Sequence, residues 1–312
     1  MSYRQTVSQT HRETYRDNIR MVAQQMQNPL RAAVVLEPAS GEAVSLADLM
    51  GKKEYQEGAD YSRTNVDNPT KWTRRWLTRP TGIVDGEYIT KEEKFDKAMD
   101  PTSRLVSNSV KAVERGVFDR LLGVKKVGGQ FVISGGGIMG GSQEGRTPGA
   151  LTPLPAGNFI AVDYDGGAAN GLTTGKLRGA TEAMELEDFG LETEDEIYSL
   201  ITPKQKTNLI NLALATGNNL NPFDVKNISE GKPGKLLGIN WLFSNRVPVD
   251  ENGYRLCPVW SRENIGGGVW QDVDGDMWND SHARNLPYIN TDAYIEAGRI
   301  EDGGVRVIRC AE

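Results

Sequence analysis

The chain has 312 residues, 38% of them hydrophobic, with 36 Lys plus Arg against 42 Asp plus Glu for a net charge of −6. That is room for two domains, or for one domain with large excursions, around a core of ordinary size. The negative balance argues against a surface devoted as a whole to polyphosphate, and two cysteines, Cys257 and Cys310, are too few for a disulfide framework and too far apart in sequence for a zinc site.

Thirty-five glycines and fourteen prolines without a collagen-like period point to many turns and extended connections. The residues from Met1 to Gln5 have no apolar stretch to serve as a signal-peptide core, and 18 apolar residues never run together. The expectation is a protein made and kept in the cytoplasm, or in something assembled there, with no membrane partner.

From Thr10 to Gln27, Tyr15, Ile19, Val22 and Met26 recur at i, i+4, i+7 and i+11, the spacing of an amphipathic helix that Asn28-Pro29 stops. The stripe is narrow, so this segment reads as an arm lying on another surface, and residues 1–28 are expected to add little to the core. A short β-like run at Ala32–Val35 precedes polar, Gly- and Asp-rich text through Asp67-Asn68-Pro69, too long for an ordinary connection. In the next strand Trp72, Arg74 and Trp76 share one face, and Thr73, Arg75 and Leu77 the other. Gly82–Phe95 reads as the returning strand of a long projection that needs something to lie against.

Asp100-Pro101 reads as a helix start, and Val106, Val110, Val113, Val117 and Leu121 carry the helix to Gly123. Short apolar runs among Gly and Pro fill 127–172. Further on, the pattern predicts a helix from Thr173/Thr174 to Phe189, a strand at Ile197–Ile201, a helix from Pro203 to Ala215, and strands at Leu236–Ser244 and Val305–Cys310. The class is α+β without regular βαβ alternation.

Several motifs invite chemistry. Gly135 to Gly140 spells G-x-G-x-x-G, but Gly141, Gly145, Pro148 and Gly149 leave no helix to receive a pyrophosphate, so a glycine-rich loop is expected. Gly175-Lys176 lacks the rest of a P-loop. Asp272, Asp274 and Asp276 have calcium-loop spacing, yet Met277 and Ala283 occupy the positions that need Gly and Glu, and an exposed acidic turn is expected. His11 and His282, the two histidines, have no nucleophile signature nearby. No catalytic, cofactor or metal residue is assigned.

Lys71, Trp72, Arg74, Arg75, Trp76 and Arg79 form a basic, aromatic strip, and Glu182, Glu185, Glu187, Asp188, Glu192, Glu194, Asp195 and Glu196 form an acidic cluster. A single-strand stacking platform and a plain solvated face are both open readings of the strip. Contact between subunits is preferred, because complementary charge fixes register.

In this order the elements resemble the major capsid protein of tailed phages, of the Hong Kong 97-type fold. The resemblance is carried by Asp100-Pro101 opening a spine helix, by the helix from Thr174 leading to Tyr198-Ser199-Leu200-Ile201-Thr202-Pro203-Lys204-Gln205, by Lys235 to Trp241 with Ser244 and Val247-Pro248, and by Gly298 to Val305. It implies an N-terminal arm (1–32), an E-loop (33–98), a P-domain with the spine helix (99–170), an A-domain (171–255) and a return to the P-domain with the C-terminal strands (256–312). It also implies hexamers and pentamers closing an icosahedral shell around double-stranded DNA, assembled as a procapsid and then expanded. A separate scaffolding protein is expected because the chain opens directly on the arm; a portal and a decoration protein complete the implied partners. Rival expectations are a nucleotide-dependent enzyme using the 135–140 loop and another virion protein, a tail-tube or decoration subunit.

Overall fold

The computed structural model describes residues 6–26, 28–50, 72–190, 195–215, 235–236 and 238–312. Helix α1 (Gln9–Gln25) starts at a capping box: the Ser8 hydroxyl accepts from the His11 N–H and His11 Nδ1 accepts from the Ser8 N–H, each at 3.3 Å. Asn28 caps the short α2 (Pro29–Ala32), and β1 (Val35–Pro38) follows.

Strand β2 (Ala43–Met50) pairs antiparallel with β3 (Trp72–Thr78), from Ala43 opposite Thr78 to Met50 opposite Trp72. This corrects the expectation that 82–95 returns on the 71–77 strand. That segment divides into β4 (Ile83–Tyr88), which joins a different sheet, and α3 (Glu92–Met99). Phe95 and Ala98, three residues apart, bury one helical face, and that spacing suits a helix rather than a strand.

The spine helix α4 (Arg104–Leu122) starts later than Asp100-Pro101 suggests. The Asp100 carboxylate accepts from the N–H and hydroxyl of Thr102 within its own turn, and Ser103 caps the helix by accepting from the Val106 N–H. The valine stripe and Leu121 are all buried, and Gly123 ends the helix at φ +80°, where a Cβ would meet the Gly136 carbonyl at 2.1 Å.

The remaining elements are the hairpin β5 (Val124–Val127) and β6 (Gln130–Ile133), the short strands β7 (Ser142–Glu144), β8 (Leu151–Thr152) and β9 (Phe159–Ile160), then α5 (Thr174–Glu185), β10 (Ile197–Ile201), α6 (Pro203–Ala215), β11 (Lys235–Leu236) and β12 (Ile239–Phe243). The chain closes with β13 (Arg255–Ser261), β14 (Ile265–Asp280), β15 (Leu286–Arg299) and β16 (Val305–Cys310).

Three larger sheets result, with orders β1-β14-β15-β4, β11-β12-β10-β13-β16-β9 and β2-β3-β7-β8. The long β14–β15 hairpin, on which α1 and α4 pack, replaces the acidic turn expected at Asp272–Asp276. Val273 and Met277 point into the core while the aspartates alternate outward. Glycine in β14 answers close approach, since a Cβ on Gly275 would meet Ile19 Cγ1 at 2.6 Å.

Candidate assembly interfaces

The arm is held on its own chain. Tyr15 and Ile19 are core residues, and Val22 and Met26 are half-buried against the same cluster. Tyr15 Oη lies 3.2 Å from Thr291 Oγ1, and burial pushes the phenol up to about 12. This corrects the expectation that the arm adds little to the core.

Outside that apolar stripe runs a ladder of arginines. Arg12 meets Asp276 through Nε at 2.8 Å and Nη2 at 2.6 Å, Arg20 meets Asp274 at 3.1 and 3.0 Å, and Arg31 Nη2 meets Asp272 at 2.7 Å and Glu114 at 2.9 Å. Arg16 adds a looser pair to Asp274 at 3.6 Å. The pairing is not one to one. Arg12 and Arg20 stand eight residues, about 12 Å, apart along the helix while Asp276 and Asp274 are two residues, about 6.7 Å, apart on the strand, so the long side chains converge on the aspartates and Arg16 and Arg20 share Asp274.

The same aspartates serve the backbone of β14. Strand β1 covers β14 only as far as Val269. Beyond it the N–H groups of Val273, Gly275 and Met277 donate to the Oδ1 atoms of Asp272, Asp274 and Asp276, at 2.8, 2.9 and 2.8 Å. Burial is the largest single influence on the Asp276 carboxyl and would raise it, but the hydrogen bonds from Arg12 and the Met277 N–H together with the Arg12 and Arg16 charges hold it below the usual range. Asp292, opposite Asp274, is pushed up by burial and by the Asp274 charge. With their oxygens engaged in this way the three aspartates do not resemble a cation cage, and among the described residues no group of acidic, His or Cys side chains does.

The basic strip divides by strand alternation. Lys71 lies outside the described residues. Trp72 opens β3, while Arg74 and Arg79 are exposed, with their guanidiniums 5.3 Å from the Trp76 ring and 5.1 Å from the Tyr294 ring. Trp76 Nε1 donates to the Gly145 carbonyl at 2.9 Å. Arg75 points inward with Leu77 and is no part of an exposed strip. It donates to Ser142 Oγ and pairs with Glu144 at 3.5 Å and Asp302 at 3.4 Å. Arg299, fully buried, takes the other oxygen of Asp302 at 2.6 Å and donates to the Gly140 and Thr152 carbonyls.

Beside this latch lies a cavity of about 280 Å³ between the root of β2–β3, the end of α4 and β15. Its Glu296 accepts from Arg120 Nη1 at 3.1 Å, and Arg120 Nη2 reaches the Thr81 carbonyl at 3.2 Å. Burial pushes the Glu296 carboxyl up to about 7 even though Arg120 pulls it down.

Within the acidic cluster Glu182 is exposed and Glu185 half-buried on α5, with Asp188 following in a left-handed turn at φ +67°. Glu187 pairs with Arg306 at 3.5 Å, Glu196 with Arg262 at 3.5 Å, and Asp195 accepts from Ser261 at 3.2 Å. Glu192 and Glu194 lie outside the described residues.

Two sequence motifs acquire structural roles. The N–H groups of Gly137, Ile138 and Met139 donate to the carbonyls of Ala297, Leu121 and Leu122 at 2.6, 3.0 and 3.0 Å. The glycine loop therefore caps the C-terminal, partially negative end of α4, the opposite of a pyrophosphate cradle. Lys176 is buried and donates to the Asn170, Gly171 and Arg309 carbonyls at 2.8, 3.0 and 3.0 Å, and burial lowers its pKa. A lysine read only as a failed P-loop is an internal tie, and composition carries no signal for it.

Comparison with known proteins bears on the whole chain. The model of the family described as phage capsid protein matches residues 7–312. No curated protein matches the sequence. Among solved structures, the capsid of the cyanophage P-SCSP1u is similar at a TM-score of 0.60 and 15% identity, over 92% of this chain and 89% of that one. The capsid of Ralstonia phage GP4 is similar at 0.58 and 13%, over 89% and 87%, and a virus-like particle from Pyrococcus furiosus at 0.53 and 11%, over 96% and 99%. These likenesses establish the Hong Kong 97-type fold, and with the match over residues 7–312 the chain belongs to the phage capsid protein family, as a structural major capsid protein.

Proposed function

We propose that copies of this chain form hexamers and pentamers of an icosahedral shell around double-stranded DNA, assembled in the host cytoplasm on a separate scaffolding protein as a procapsid that then expands, with a portal and a decoration protein as further partners. The chain does no chemistry and takes no cofactor. Its parts are the arm (1–32), the E-loop (33–98), the P-domain with the spine helix (99–170), the A-domain (171–255) and the returning strands (256–312). The match of residues 7–312 to one capsid family carries this reading. Negative-stain microscopy of the expressed protein, with and without the products of its neighbouring genes, tests it: closed particles are expected, and only monomers under every condition would reject it.

Within the shell, Arg74 and Arg79 with Trp76 dock on the acidic cluster of a neighbouring copy, where Glu182 and Glu185 have no ion-pair partner among the described residues. Opposite charge supports this contact, since both fronts are exposed or half-exposed. A separation beyond about 10 Å, the Debye length at 0.1 M salt, in an assembled particle would remove it.

A further inference from the structure

The spine helix carries a second stripe. Arg104, Asn108, Lys111 and Arg115 repeat at i, i+4, i+7 and i+11, two residues out of phase with the buried valines, which turns them about 200° around the helix axis. All but the amide are cations, the line is about 16 Å long, and every member is exposed. None of the three cations pairs with a described carboxylate, unlike Arg12, Arg20, Arg31, Arg120 and Arg246 nearby.

The placement works against the isolated helix. Arg104 sits in the first turn, which contains no acidic residue and where the helix dipole already disfavours a cation. The carboxylate just before it, Asp100, is engaged by Thr102. Lys111 and Arg115 border a groove shared with Phe118, Phe243 and Arg246, whose one carboxylate, Glu114, is already held by Arg31 and Asn28. On a chain of net charge −6, a straight row of unpaired cations opposite the core stripe complements a linear polyanion.

We infer that this face of the spine helix binds the phosphate backbone of duplex nucleic acid without reading its sequence. The inference rests on the shell reading only in taking this face as the one turned to the cargo; binding itself is a property of the single chain.

The test is anisotropy of the full-length protein with a fluorescent mixed-sequence duplex across a salt series. Each phosphate contact contributes about 0.9 to the slope of log affinity against log salt, so Arg104→Gln/Lys111→Gln/Arg115→Gln should bind more weakly, with a slope shallower by about 2.7, and each single variant should be shallower by about 0.9. A control that removes three exposed cations elsewhere, Lys125→Gln/Lys126→Gln/Arg146→Gln, should keep the wild-type slope. Equal slopes for the wild type and the stripe variant, or an equal loss in the control, would overturn the inference. So would a stripe variant that loses polyglutamate binding while keeping DNA binding, which would assign the face to an acidic protein. Particle formation by the same variants, scored by microscopy, reads the shell proposal separately.

Discussion

Arg12 and Arg20 on the first helix keep 49% and 53% of their side-chain surface in solvent while meeting Asp276 and Asp274, whereas Arg75 on β3 and Arg299 at the end of β15 keep 8% and 0% and share Asp302. The same residue types do two jobs. An exposed ladder orients a helix at low net energy and yields to salt. A buried latch has little water to fall back on, so removing its carboxylate leaves the Arg299 charge with carbonyl acceptors alone and Arg75 with Glu144 and Ser142. The arm's adhesion therefore belongs to Tyr15 and Ile19, and its register to the arginines.

Four experiments would break or sharpen that contrast. Deleting residues 1–28 uncovers the partners of Tyr15 and Ile19, and at about 1.5–3 kcal/mol per buried side chain it should cost about 3–6 kcal/mol in denaturant unfolding. A loss under 1 kcal/mol would mean that the arm is decoration on a finished core. Asp302→Ala should cost about 3–5 kcal/mol by the same measurement, and an unchanged midpoint would show that the Gly140 and Thr152 carbonyls alone satisfy Arg299.

The next effect depends on pH. Glu296 is raised to about 7 in the fold, so the folded chain holds this proton more tightly than the unfolded chain does. Stability from this group is full below the unfolded value of about 4.3 and declines as pH rises through about 7, by about 3–4 kcal/mol at most. Glu296→Gln should flatten that decline between pH 5 and 8, and an identical slope in the variant would place the dependence elsewhere. Smallest of all, each of Arg12→Gln and Arg20→Gln should cost about 0.2–1 kcal/mol. Limited proteolysis should show the arm loosening with salt in the wild type and already loosened in the double variant; protection independent of both would remove the ladder's role.

Much of the helical frame was legible in sequence. The stripe from Val106 to Leu121 buries as its spacing requires, and α6, β10 and β16 keep their expected limits. The β14–β15 hairpin was not, because Gly266, Gly267, Gly268 and Gly275 with four aspartates carry a turn composition. Those glycines mark the places where Leu46, Leu36, Ala39 and Ile19 crowd the strand. Of the candidate contact residues, the inward turn of Arg75 follows from its sharing a strand face with Leu77. The Arg–Asp ladder was beyond a local reading, since its two halves lie more than 240 residues apart.

The self-capped margin of β14 bears on how such a chain survives its own abundance. A capsid subunit is needed in many copies, and a bare strand margin on each would invite neighbours to zip on in any register, building open-ended ribbons. By turning Asp272, Asp274 and Asp276 onto the N–H groups of Val273, Gly275 and Met277, the chain withdraws that margin from promiscuous pairing before any neighbour arrives.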